Sequence, residues 1–189
     1  KLMKQNKFFV TAAFILTALF QIYVPAGIIA DREILLSEGK EFKFKCAPVD
    51  PSDPFRGKYI TLNFEENSFT TDNDNWDYNE DVYLTFKNNS EGFSEIESAA
   101  KEKPETSSDY LKLKTNGFSP EIKKLHINYP FDIYYLNETK APKTEELYNS
   151  SLIDSNNVTY AIIAIKDGEG AIKNLFINDK PIEEIIFED

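Results

Sequence analysis

The chain has 189 residues, enough for one ordinary domain or two small ones. It carries 32 Asp and Glu against 21 Lys and Arg, and this acidic balance excludes DNA or RNA as a partner because like charges repel. A single Cys allows no intrachain disulfide. One His and one Cys make a zinc site or a His-based catalytic triad unexpected. We therefore expect no metal and no cofactor.

The first predicted element is an apolar helix. Residues 8–30 carry no charge, and three lysines precede them. About 20 apolar residues suffice to cross a bilayer. A cleaved signal peptide is the alternative, but its apolar core is shorter and its cleavage site needs small residues where this chain has Ile28. Residues 1–30 therefore predict a lysine-rich cytoplasmic tip and a single anchor in the lipid bilayer, with residues 31–189 outside the cytoplasm.

The chain after the anchor predicts a short linker over 31–40 and then many short strands. Apolar and polar residues alternate with the period of two that half-buried strands show, in three segments: 42–46, 60–64 and 82–86. The proline-rich stretch between the first two predicts an irregular loop. Residues 68–81, rich in Asp, Asn and Ser, predict an exposed connector.

The second half predicts a turn at Asn116-Gly117, two short strands around Pro130 and a helix over 141–152. Three further strands follow, with turns at 167–168 and 178–179. The fold class is therefore mainly β (a β-rich α+β chain), a small barrel or sandwich after the transmembrane helix. The pattern also suits two β subdomains, which would span residues 41–118 and 119–189.

The acidic loop is one candidate ligand site. Its candidate residues are Asp72, Asp74, Trp76 and Asp77. An EF-hand that starts at Asp72 fails, because Asp77 stands where Gly is needed and Tyr83 where the bidentate Glu belongs. A looser calcium site, an envelope ligand-binding module that uses Trp76 and Tyr78, and a plain solvated loop stay open.

A Ser-Lys hydrolase is the enzymatic alternative. An N-terminal anchor, a proline-flanked Ser52 and a glycine turn into a β domain are similar to membrane-bound signal peptidases. The match is partial, because the spacing to Gly57 is short and Lys58 stands where those enzymes carry Asp. Ser52 as an ordinary turn residue is the competing interpretation, and no catalytic residue is assigned.

Residues 48–64, PVDPSDPFRGKYITLNF, resemble the signature of the GDYXXLXY family of bacterial membrane-anchored proteins. The positions that match are Val49, Asp50, Pro51, Asp53, Arg56, Gly57, Tyr59 and Leu62. Two positions depart from it, Lys58 in place of Asp and Phe64 in place of Tyr. The segments INYPFDIYYLNETKAP and DGEGAIKNLFINDKPI also resemble the family.

The resemblance implies an extracytoplasmic domain on one anchor in the bacterial cytoplasmic membrane, with no established activity. It also implies a multi-pass membrane protein as partner, since family members accompany such proteins. Lys58 indicates that the family Asp is not a universal catalytic group. The resulting hypothesis is a non-enzymatic interaction or scaffold module. In it Arg56 pairs with Asp50 or Asp53, and Gly57 supplies an unusual backbone angle.

Overall fold

The computed structural model describes residues 2–48, 59–105, 109–135, 141–154 and 156–185, without the side chains of 2–6 and 141–143. Its helices are α1 (Leu2–Glu38), α2 (Ala141–Ile153) and α3 (Ile182–Ile185). Its strands are β1 (Lys40–Ala47), β2 (Tyr59–Thr61), β3 (Asn63–Phe64), β4 (Ser68–Thr70), β5 (Asp81–Asn88), β6 (Ser94–Ala100), β7 (Tyr110–Ser119), β8 (Lys124–Asn128), β9 (Ile133–Tyr135), β10 (Thr159–Lys166), β11 (Glu169–Ile177) and β12 (Lys180–Pro181).

Helix α1 is longer than the sequence predicts. Its segment Lys7–Glu38 is long and apolar enough to cross a membrane. The helix also continues to Glu38, through most of the predicted linker over 31–40. The physical reason is that no Pro or Gly interrupts residues 31–38, so nothing stops the helix before Gly39. There the Gly39 N–H donates to the Leu35 carbonyl at 2.9 Å, and the Leu35 side chain is buried.

The strands form three antiparallel sheets within the described residues. The first has the order β12-β11-β10-β1-β3, the second β4-β8-β7-β5-β6, and the third pairs β2 with β9. A parallel bridge between Leu111 and Gly168 links the two larger sheets. The result is a nearly closed, barrel-like arrangement, which confirms the mainly β fold class.

Backbone pairing joins the two halves of the chain. Strands β1, β2 and β3 precede residue 118, yet they share sheets with β10 and β9, which follow it. The second large sheet likewise pairs β8 with β7. Every sheet therefore contains strands from both 41–118 and 119–189.

The core lies between the sheets and centres on Phe44. Its ring makes edge contacts with Phe64, Phe86 and Tyr129 at centroid distances of 5.5, 5.1 and 5.6 Å. Phe44 is inward-facing, as the alternation in β1 predicts, and it is 1% exposed. Burial of one such side chain stabilises the fold by about 2–3 kcal/mol. Phe44 thus ties strands that are distant in sequence into one core.

Some turn predictions are confirmed and one is wrong. Helix α2 and the turns at 167–168 and 178–179 lie where they are predicted, and the turn residues have positive φ. Asn116-Gly117 is not a turn, however. It is a bulge inside β7, with Gly117 at φ 96° and a register shift between Thr115 and Phe118. The same positive φ serves a turn or a bulge, and pairing with β8 decides between them.

Candidate functional site

Most of the predicted motif falls outside the described residues. The positions concerned are Val49, Asp50, Pro51, Ser52, Asp53, Arg56, Gly57 and Lys58. The predicted pairing of Arg56 with Asp50 or Asp53, and the role of Ser52, therefore stay predictions.

The described end of the motif holds strand β9 in place. Tyr59 pairs with Tyr135 in the β2–β9 ladder, and their ring centroids are 6.1 Å apart. The Leu62 N–H donates to the Asp132 carbonyl at 2.7 Å. Leu62 and Phe64 are both buried in the core. This part of the motif is structural, and its effect is to position residues 130–135.

Those residues form one wall of an open cleft of about 560 Å³, here called the Arg32 cleft. The turn between β10 and β11 and the start of β11 also line the cleft, through Gly168, Glu169, Gly170 and Ile172. Lys112 of β7 and Arg32 of helix α1 complete the lining. The cleft therefore lies where the end of the apolar helix meets the β domain.

Glycine shapes the floor of the cleft. A Cβ atom at Gly170 would lie 2.5 Å from Phe131 and 2.8 Å from Leu111, both well inside contact distance. Gly168 has a φ of +94°, a backbone angle that residues other than glycine rarely adopt. Phe131 can close against β11 only because residue 170 has no side chain.

The cleft carries charges of both signs. Arg32 Nη1 donates to the Gly170 carbonyl at 3.3 Å, and no carboxylate among the described residues forms an ion pair with it. Lys112 Nζ is 3.1 Å from the Asp81 carboxylate, and this hydrogen bond raises the pKa of Lys112. Asp132 and Glu169 are exposed, and their side chains bond to no other described residue. Within the described part of the chain, Arg32, Asp132 and Glu169 thus line the cleft without an ion-pair partner.

A second cleft of about 550 Å³ adjoins the first and shares Lys112 and Pro130 with it. Its far end is the loop that contains Tyr78, which is 75% exposed. Thr115 fixes that loop, because its Oγ1 donates to the Asp77 carbonyl at 2.5 Å and accepts the Glu80 N–H at 3.0 Å. The two clefts together make one groove with a rigid end.

The acidic loop differs from its prediction as an exposed connector. It begins with strand β4, and Trp76 is 7% exposed with Lys101 Nζ 5.1 Å from its ring centroid. Trp76 is thus a core residue and offers no open aromatic face, because the loop folds back against β7. This leaves Tyr78 as the exposed aromatic of the predicted pair.

The acidic residues of the loop make local bonds. Asp72 pairs with Lys123 at 2.7 Å, which lowers the pKa of its carboxyl, and Asp77 donates its N–H to Glu80 at 3.1 Å. Asp74 is exposed. Across the described part of the chain, no group of three or more His, Cys, Asp or Glu side chains could hold a metal ion.

Cys46 is the single thiol of the chain and is buried. Burial raises the pKa of Cys46 to about 12, so the thiol stays protonated at neutral pH. Since the thiolate is the reactive form, Cys46 is a packing residue and not a nucleophile.

Sequence reasoning missed Arg32, Asp132 and Glu169 as site residues. The sequence did mark two of these residues, because Asp132 and Glu169 lie in the two later segments that resemble the family. What the sequence could not show is that these segments line one cleft together with Arg32 of α1.

Fold and site together define a β-rich domain on an apolar N-terminal helix, with an open charged groove where the two meet. The family model described as "GDYXXLXY protein" matches residues 21–175, which confirms the predicted resemblance. The chain belongs to this family. No curated protein and no solved structure matches it.

Proposed function

We propose that this protein is a membrane-tethered, non-enzymatic interaction or scaffold module outside the bacterial cytoplasm. It binds a multi-pass membrane-protein partner. One observation carries this proposal: the segments that resemble the family converge on a groove directly beside the end of the apolar helix.

The junction between helix and domain supports this role. Leu35 is 3% exposed against β10, and Lys166 Nζ lies 2.5 Å from the Glu38 carboxylate. Arg32 adds its hydrogen bond to Gly170. A domain fixed in this way stands at a set height and orientation above the bilayer, which reduces the entropy lost when it docks onto a membrane partner.

The helix itself supplies a second surface. The apolar span is not buried within the described chain, and large side chains such as Phe14, Phe20 and Ile28 are more than 60% exposed. Lipid tails and the helices of a multi-pass protein are both suitable neighbours for such side chains.

Photocrosslinking in the native membrane tests the proposal. A photoreactive amino acid at Tyr135, on the rim of the Arg32 cleft and 73% exposed, is expected to capture a multi-pass membrane protein in stoichiometric yield. The matched control is the same amino acid at Ile122, which is 58% exposed and does not line the cleft. Recovery of the uncrosslinked chain alone from both positions would contradict a partner role.

A further inference from the structure

We infer that the Arg32 cleft binds the headgroup of a zwitterionic aminophospholipid, whose phosphodiester contacts Arg32 and Lys112 and whose ammonium group contacts Asp132 or Glu169. The inference rests on the membrane tether in the proposed function and adds a lipid ligand to it.

The depth of the cleft follows from helix geometry. Arg32 is two residues beyond the end of the uncharged run at Ala30, about 3 Å along the helix axis. The polar headgroup layer is about 5–8 Å thick on each side of the hydrocarbon core. An exposed Arg32 side chain on a membrane-spanning α1 therefore lies at headgroup depth. Exposed Tyr135 on the same cleft fits this position, since Tyr is enriched at membrane interfaces.

The charges select the headgroup. From Asp31 onward the chain holds 18 basic and 32 acidic residues, so an overall anionic surface repels anionic lipids. Within the cleft, however, Arg32 and Lys112 can bind a phosphate, and Arg32 pairs with no carboxylate among the described residues. Asp132 and Glu169 line the same cleft and have no side-chain bond to another described residue. A ligand with one phosphate and one ammonium group satisfies both sets.

The shape of the cleft agrees with a headgroup. A volume of about 560 Å³ falls in the usual range for small-ligand sites. The hydrogen bond from Arg32 Nη1 to the Gly170 carbonyl holds the guanidinium at the cleft. Ile133, 36% exposed, and Ile172 add apolar surface for the glycerol end.

Lipid photolabelling of the full chain tests the inference. The chain is reconstituted in phosphatidylcholine vesicles that contain a trace of photoactivatable phosphatidylethanolamine, phosphatidylglycerol or phosphatidylcholine. We expect the ethanolamine probe to label the peptides around 130–135 and 168–172 more than the other two probes do. Equal labelling by all three probes, or labelling confined to the apolar span of α1, overturns the inference.

Two variant pairs assign the charges. Arg32→Gln should reduce ethanolamine labelling in the cleft about tenfold, the usual effect of losing one charge-assisted hydrogen bond, while Lys87→Gln, at an exposed position of β5, should not. Glu169→Gln should reduce ethanolamine labelling to the level of the glycerol probe, while Glu91→Gln should not. An unchanged Arg32→Gln protein, with native Trp76 fluorescence as the check on folding, contradicts the phosphate assignment.

Two further controls separate the sources of failure. Millimolar glycerophosphoethanolamine carries the same headgroup and should reduce labelling of the cleft; labelling that it leaves unchanged contradicts recognition of the headgroup. Flotation shows whether the chain is held in the vesicles. If the chain floats with the vesicles but is not labelled selectively, only the lipid inference is contradicted. If the chain does not float, the proposed membrane tether is contradicted as well.

Discussion

The ring of Phe131 lies against the backbone of Gly170, so close that a Cβ atom there would be 2.5 Å from it. Gly170→Ala should therefore force Phe131 or β11 to shift, at a cost of about 1–3 kcal/mol in the free energy of unfolding. Denaturant titration of the full chain measures this. Gly92→Ala is the control: its Cβ meets no atom within 4 Å, so only the strain of φ +84° remains. A loss of less than about 0.5 kcal/mol in Gly170→Ala would show that packing at Gly170 is unimportant.

Thr115 should be a key residue for the loop that carries Trp76. Its buried hydroxyl donates to the Asp77 carbonyl and accepts the Glu80 N–H. Thr115→Val leaves both backbone groups without this partner and should cost about 1–3 kcal/mol. Trp76, the single tryptophan, reports the change as a red shift of its fluorescence.

Thr85→Val is the matched control, since among the described residues the Thr85 hydroxyl bonds to the exposed Ser98 alone, at 2.7 Å. It should change stability by about 0.5 kcal/mol or less. A native emission spectrum in Thr115→Val would contradict the assigned role.

Leu35 should hold α1 against the β domain. Leu35→Ala removes buried contacts at the junction and should cost about 2–3 kcal/mol. Amide hydrogen exchange over residues 31–39 should accelerate, because the last turns of the helix lose their packing. Ile34→Ala truncates a side chain that is 45% exposed and should leave exchange nearly unchanged. Similar exchange in both variants would mean that the junction does not depend on Leu35.

Stability should decrease at high pH through Cys46. Its pKa is about 12 in the folded chain against 9.0 for an unperturbed thiol, so the folded state holds the proton more tightly. The stabilisation is complete below pH 9 and is lost as the pH rises from 9 to 12. In Cys46→Ala, the free energy of unfolding should decrease less steeply with pH in that window, by the amount that corresponds to about one bound proton. Buried Tyr129, whose pKa is also raised by burial, keeps its own contribution in both proteins.

Ser52→Ala should leave the processing of co-expressed membrane proteins unchanged, as a non-enzymatic role requires. Immunoblots of those proteins in cells with and without the substitution measure this. Accumulation of unprocessed proteins only in the Ser52→Ala strain would support the Ser-Lys hydrolase instead.

The sequence predicts what depends on neighbouring residues. Alternation along 42–46 places Phe44 and Cys46 inside, and the turn at 167–168 follows from the residues that tolerate positive φ. Helix α2 likewise shows its start through Pro142. These are local signals, and they give the fold class correctly.

Features that depend on distant pairing were not predictable. Gly117 lies in a bulge and not in a turn because β8 pairs on both sides of it. Trp76 is buried because Thr115, far along the chain, holds its loop. The Arg32 cleft combines α1, β7, β9 and the β10–β11 turn, and no periodicity along the chain shows that these elements meet.

The unbroken course of α1 through Glu38 has a rotational consequence. An α-helix turns by about 100° per residue, so the position of the Arg32 cleft around the axis of α1 is fixed relative to one face of the apolar span. A molecule that binds to that face of the helix also fixes the direction in which the cleft opens. Insertion of one alanine between Ala30 and Asp31 would rotate the cleft by about 100° around the helix axis. Insertion of seven alanines would nearly restore the original rotation and would mainly move the cleft along the axis. Helix α1 therefore sets the rotational orientation of the β domain about the helix axis.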